Sequence, residues 1–181
     1  TTHPIQYQVP WLRKLAASEG IDLQVYFAMI PDAAEQGREF GVAFDWDIPL
    51  LEGYRWQLLE NRSARPSLTE FGGCDTPQVI DEIRAGNFDA VIVNGWVART
   101  CVQALWACLR TRTPCIVRGE VNGLHPRAAW KRWLHARLLA RYSACLAIGS
   151  NNRRYLLDAG VPATRIFHTP YCVENERFAV A

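Results

Sequence analysis

Hydrophobic and polar positions along this chain follow two patterns. From about residue 77 onward, short continuous runs of Val, Ile, Ala and Cys alternate with longer segments of helical spacing. Residues 90–93, 115–117 and 144–148 are strand-length runs, apolar without strict alternation, as expected of strands buried on both faces, and residues 165–169 read as a further strand ending at Pro170. Between them, residues 77–85 set Val79, Ile80 and Ile83 on one helical face, and residues 101–109, 128–140 and 152–159 read as further helices. Ser150 or Asn151 is placed to cap the last of these and Gly160 to end it. A strand, helix, strand crossover over residues 144–169 implies parallel pairing.

The first half is less regular. A helix is predicted over residues 9–17, with Pro10 tolerated in its first turn and Gly20 beyond its end. A strand over 23–28 leads into an excursion over 29–44, rich in Asp, Glu, Gly and Ala; a loop of that length inside a compact domain is functional or disordered. Short strands are predicted over 45–49 and 56–59, then a loose region over 62–76. The opening Thr1-Thr2-His3-Pro4 reads as a loop leaving a strand, so a first strand ahead of Thr1 is expected. The predicted fold class is α/β: a Rossmann-like parallel sheet with helices on both faces.

Length and composition describe one domain with an ordinary core: 181 residues, 49% hydrophobic and 21% charged. A net charge of +2 predicts no nucleic-acid partner. Its distribution says more. Residues 19–60 carry nine acids against Arg38 and Arg55, whereas residues 121–157 carry seven Lys or Arg and no acid. In the basic stretch, Trp130, Leu134 and Leu138 form a stripe on the 128–141 helix, ringed by Lys131, Arg132, Arg137 and Arg141, with Trp133 off it. Two readings stay open there: a helix lying on a membrane surface, or an ordinary solvated helix with a buried aromatic face. The six cysteines are scattered, and are read as small core residues in a reducing compartment. The expected location is the cytoplasm, extending to the inner face of the membrane if that helix meets lipid.

In open parallel sheets, ligands bind beyond the carboxyl ends of the strands. That rule selects the turns at 3–7, after 28, 94–96, 118–122, 149–152 and 170–171. None contains a Gly-x-Gly-x-x-Gly or a Gly-x-x-x-x-Gly-Lys-Ser motif, which disfavours a dinucleotide or ATP fold. His3 reads either as a partner for a sugar hydroxyl or phosphate, or as a turn histidine bonded to backbone. Gln6 offers both a donor and an acceptor, and alternatively caps the next helix. Asn94 and Asn151 complete the candidate binding set. Arg118 and Glu120 lie two apart on one strand face, where buried charges need a reason; they are the candidate catalytic pair, against the simpler reading of a local ion pair with each other or with Arg127. Asp45 and Asp47 stand too close on one predicted strand to act across a cleft, and read as structural or acceptor-facing.

A family resemblance joins these pieces. The segment Ile148-Gly149-Ser150, the Tyr155-Leu156 helix, Ala159-Gly160-Val161-Pro162 and the run from Pro170 to Phe178 resemble glycosyltransferase family 4. The opening Thr2-His3-Pro4-Ile5-Gln6-Tyr7 and the run from Phe44 to Tyr54 resemble one branch of it, so the likeness spans nearly the whole chain. It implies the N-terminal, acceptor-side domain of a two-Rossmann (GT-B) enzyme. Residues 1–172 would be that domain and residues 173–181 the start of a hinge to a C-terminal donor domain. The implied reaction moves a sugar from a nucleotide-sugar co-substrate to an acceptor hydroxyl, with retention, with no metal and no other cofactor. The implied acceptor is a saccharide, lipid-linked if the basic helix touches membrane. The isolated chain would be inactive, because the paired glutamates and the Arg/Lys grip on the diphosphate lie in the other domain. Two departures stand out: the first loop lacks the Gly-Gly that many relatives place beside donor phosphates, and Arg118-Gly119-Glu120 stands where relatives often have a histidine. The alternative from another class is a non-catalytic Rossmann-like module that binds a ligand or partner.

Overall fold

The computed structural model describes residues 1–37, 41–44, 46–124, 127–173 and 179. In chain order the elements are α1 (Val9–Ala16), β1 (Gln24–Phe27), α2 (Ala33–Gly37), β2 (Arg55–Leu58), α3 (Gln78–Ala85), β3 (Val91–Asn94) and α4 (Arg99–Thr111). Then follow β4 (Cys115–Gly119), α5 (Ala129–Leu139), β5 (Ala144–Ala147), α6 (Ser150–Asp158), a 3-10 turn (Ala163–Arg165) and β6 (Ile166–His168). Every strand pair among the described residues is parallel. β1 pairs with β2 in one sheet, and β3, β4, β5 and β6 lie side by side in a second. The α/β class read from the sequence is the observed one.

The four-stranded sheet forms because its inner strands β4 and β5 are covered on both faces and its connections are helices. Val93, Val117, Cys145 and Ala147 are buried in it, and Ala107, Cys108, Leu139, Tyr142 and Leu156 pack around it in one core. That core reaches Ala28 and Leu59, just past the ends of β1 and β2. A smaller cluster of Leu12, Val25 and Phe27 holds α1 on the two-stranded sheet, with the Tyr54 and Trp56 rings 6.4 and 6.2 Å from Phe27. The sheets are tied through α3, where Glu82 accepts hydrogen bonds from Tyr26 Oη of β1 and Gln57 Nε2 of β2.

The structure corrects several expectations. Trp46 to Leu51 forms turns and bends rather than a strand, with the Tyr54 hydroxyl bonded to the Leu50 carbonyl. The Asp-Trp-Asp-Ile alternation mimics a strand, but Pro49 withholds a ladder donor. Asp45 lies outside the described residues, as do residues 174–178, 180 and 181 of the expected hinge. The 29–44 excursion contains the short helix α2. Helix α5 is rotated from its expected phase: Trp130 and Leu134 are 63% and 43% exposed, and Leu139 is fully buried. Its inward face is His135, Leu138 and Leu139, because residues 129–134 project past the packed layer and have nothing to lean on. Neither Ser150 nor Asn151 caps α6; the capping position is Gly149, and Gly160 (φ +85°) does turn the chain just after the helix. Five cysteines are buried as expected, but Cys172 is exposed, since it follows β6 on the rim. No helix among the described residues is long and apolar enough to cross a membrane.

Candidate functional site

Parallel pairing sends the carboxyl ends of β3, β4, β5 and β6 to one edge of the sheet, and the candidate residues gather there. Two glycines let the turns close. Gly95 takes φ +92° just past β3, and its N–H donates to the Arg118 carbonyl at 2.6 Å. At Gly119, the last residue of β4, a Cβ would lie 2.5 Å from the Trp96 ring, so only glycine fits. Trp96 is buried against Tyr155 (ring centroids 6.5 Å apart, 12° between planes). The 94–96 turn therefore contributes a core anchor where polar cleft residues were expected.

Arg118 is the buried charge of this edge, only 6% exposed. Its guanidinium carbon lies 4.7 Å from the Tyr171 ring centroid and 5.8 Å from that of Trp11, a sandwich in which aromatic faces offset part of the lost hydration. Burial lowers its pKa and the nearby Glu120 carboxylate works against that, leaving the group charged at neutral pH. Tyr171 also donates its hydroxyl to Glu120 Oε1 and meets the Tyr7 ring edge-on at 4.7 Å. Among the described residues Arg118 and Glu120 form no direct ion pair; Tyr171 links them.

Glu120 and Asn151 line the same open hollow, of about 330 Å³, together with Asn122, Gly149, Ser150 and Tyr171. Asn152 shapes its floor. This buried amide accepts from the Ile148 N–H at 3.2 Å and donates to the Val121 carbonyl at 2.6 Å, pinning the turn after β5 to the turn after β4. Behind the hollow, Tyr155 Oη and His135 Nδ1 are 3.0 Å apart, and burial with the nearby Arg127 and Lys131 charges lowers the His135 pKa. Carboxylate, amides and an aromatic edge around an open hollow supply the donors and acceptors that a polyhydroxyl ligand needs.

A second group surrounds the first loop at the same end. Gln8 Oε1 accepts from Thr1 Oγ1 and from Asn94 Nδ2, both at 3.3 Å, while Asn94 Oδ1 is buried with no partner among the described residues. His3 Nδ1 is 3.0 Å from Thr2 Oγ1; burial, helped by the Thr1 ammonium charge, pulls its pKa down to about 4, so it is neutral at physiological pH. Gln8, rather than Gln6, is the amide that reaches the sheet, and as the residue before α1 it makes no side-chain cap. The turns selected from the sequence lie at this end of the sheet, while Gln8, Trp11 and the double role of Tyr171 are not read from it. Trp11 and Gln8 belong to a helix and its cap, where a rule about strand ends does not look.

A family model described as a glycosyl transferase 4-like domain matches residues 5–172. No curated protein matches the chain. The family match takes in every element from α1 to β6 and, of the candidate residues, all but His3. The chain belongs to the glycosyl transferase 4-like domain family.

Proposed function

We propose that this domain is the acceptor-side half of a transferase that moves a sugar from a nucleotide-sugar to an acceptor hydroxyl, with retention at the anomeric carbon. The observation that carries the reading is the hollow at the strand ends, with the Glu120 carboxylate on its wall and Tyr171 beside it. The acceptor hydroxyl takes the place of the Tyr171 hydroxyl on Glu120. Its oxygen bonds to the anomeric carbon on the same face from which the diphosphate departs, which retains the configuration. The bond from that carbon to the diphosphate oxygen breaks, the nucleoside diphosphate leaves with the bonding pair, and the hydroxyl proton passes to Glu120. Arg118 acts behind this as a fixed positive charge that holds Tyr171 and the Glu120 turn in place. Neutral His3, with Asn94 and Asn151, supplies hydrogen bonds to sugar hydroxyls. The donor rests on a second Rossmann domain, and closure of the two brings the reacting atoms together.

The exposed side of α5 favours an acceptor held at a membrane. Trp130 and Trp133 are 63% and 60% exposed, with Lys131 and Arg137 set against their rings at 5.4 and 4.9 Å. Trp with flanking cations suits the interface of an anionic bilayer. Pelleting with anionic vesicles, and not with neutral ones, is expected, and a Trp130→Ala/Trp133→Ala double variant is expected to bind at least tenfold less.

The reading is tested on the intact protein by thermal-shift screening of nucleotide-sugars, then radiolabelled transfer with the hit. Residues 1–181 alone are expected to give no turnover; full activity from that chain would contradict the division of labour.

A further inference from the structure

The wall of the hollow that carries Glu120 and Asn122 is a loop, lying between the end of β4 at Gly119 and the start of α5 at Ala129. A loop presents side chains in a fixed geometry only when its backbone is held from outside. Two of its carbonyls are held. Asn152 of α6 donates to the Val121 carbonyl at 2.6 Å, and Arg127 Nη1 donates to the Asn122 carbonyl at 3.0 Å. Asn122 folds the chain further by accepting from the Leu124 N–H on its own Oδ1 at 3.1 Å.

Asn152 is set by its helix, but Arg127 precedes α5 and has a long stem, so something must fix its head group. Tyr155 does so. The Arg127 guanidinium carbon lies 5.8 Å from the Tyr155 ring centroid, a cation over an aromatic ring. That ring is stacked on buried Trp96, and its hydroxyl is 3.0 Å from His135 Nδ1 of α5. Trp96 in turn packs where a side chain on Gly119 would stand. One aromatic pair therefore backs the wall at its root, through Gly119, and at its middle, through Arg127. The ion pair of Arg127 with Glu120 that the sequence allows does not form among the described residues; the guanidinium bonds a backbone carbonyl instead. Arginine suits the task better than lysine, because a planar fork can lie against a ring and still aim an N–H.

We propose that Arg127 is a positioning residue for acceptor binding: braced on Tyr155, it fixes the Asn122 turn and with it the shape of the hollow. This rests on the reading of the hollow as the acceptor site. Arg127 bonds backbone and touches no reacting atom, so its removal weakens the hold on acceptor while the proton step at Glu120 survives. The two residues then separate in kinetics, KM for Arg127 and kcat for Glu120.

The test uses the intact protein with Arg127→Met, Arg127→Lys and Tyr155→Phe, each shown to be folded by an unchanged melting temperature. Transfer is measured from the nucleotide-sugar found by thermal shift to octyl glycosides of common hexoses, and hydrogen exchange at the Leu124 amide reads the turn directly. Arg127→Met is expected to raise KM for acceptor about tenfold, the equivalent of one hydrogen bond from a charged group, with kcat held within about twofold. Its Leu124 amide is expected to exchange about fivefold faster or more. Arg127→Lys is expected to keep a KM several-fold above native, and Tyr155→Phe, which keeps the ring, to stay within about twofold of native. An Arg127→Met protein with native KM, or with kcat lowered and KM unchanged, would overturn the positioning role. A rise of about tenfold for Tyr155→Phe would overturn the brace on the ring. No transfer to any octyl glycoside would instead sink the acceptor reading, and the Leu124 exchange would still decide whether Arg127 braces the loop.

Discussion

The two sheets of this domain are both parallel, yet they are held by different means. The four-stranded sheet has a core of its own: Val117, Cys145, Ala147, Leu139 and Tyr142 are all essentially inaccessible to water. The cluster on the two-stranded sheet is small, Leu12 of α1 with Val25 and Phe27 of β1, and Trp56 and Leu58 of β2 are left 37% and 48% exposed. This sheet joins the main core through Ala28 and Leu59 with Tyr26 packed against it, and polar contacts add to this: Tyr26 and Gln57 on Glu82, and Asn94 on Gln8 of the first loop. The lesson is a division of labour. One sheet supplies stability and a rigid edge for Arg118, Glu120 and Asn151, while the other carries the first loop on hydrogen bonds that are each worth about 1 kcal/mol.

The largest expected effect sets one sheet against the other. Leu139→Ala removes a fully buried side chain from the main core and is expected to cost about 2–5 kcal/mol. Leu58→Ala, on the exposed face of β2, is expected to stay within about 0.5 kcal/mol. Urea unfolding of both variants measures the contrast, and similar losses would erase it.

A smaller effect sharpens the comparison through pH. His3 has its pKa lowered to about 4 in the folded chain, against about 6.5 when unfolded. Between those values the unfolded chain takes up a proton that the folded chain refuses. The stability present above pH 6.5 is therefore lost progressively as pH falls toward 4, by at most about 1.4 kcal/mol per pH unit. His3→Gln is expected to flatten that slope. Protection factors over Gln24–Phe27, with exchange corrected for its intrinsic pH dependence, are expected to fall with acid before those over Cys115–Gly119 do.

The same division explains what could be read in the sequence. Runs of Val, Ile, Ala and Cys followed by a glycine mark β3, β4 and β5, as expected of strands covered on both faces, whereas β6 (Ile166–His168) is short and largely exposed. The candidate edge followed from strand direction alone, and Arg118 with Glu120 followed from finding charges at a buried strand end. What escaped notice depends on neighbours far away in the chain. Trp130 looks like core by spacing, and is exposed because its half of α5 runs past the packed layer. Asn152 is selected by the sequence only as part of the 149–152 turn; its burial and its bond to the Val121 carbonyl, distant in sequence, are not legible there. The Trp46 region alternates like a strand but pairs with no strand among the described residues. Tyr171 connects Tyr7, Arg118 and Glu120 only after residues 7, 118 and 171 have been brought together by three separate turns.

The central claim is that Glu120 receives the acceptor hydroxyl in the hollow at the strand ends. Its most direct test is the turnover of Glu120→Gln in the intact transferase, measured with saturating donor and acceptor and with folding verified by an unchanged melting temperature. The account predicts a fall in kcat of about a hundredfold or more, because the amide still fits the hollow but cannot take the proton. A folded variant that turns over at the native rate would contradict it.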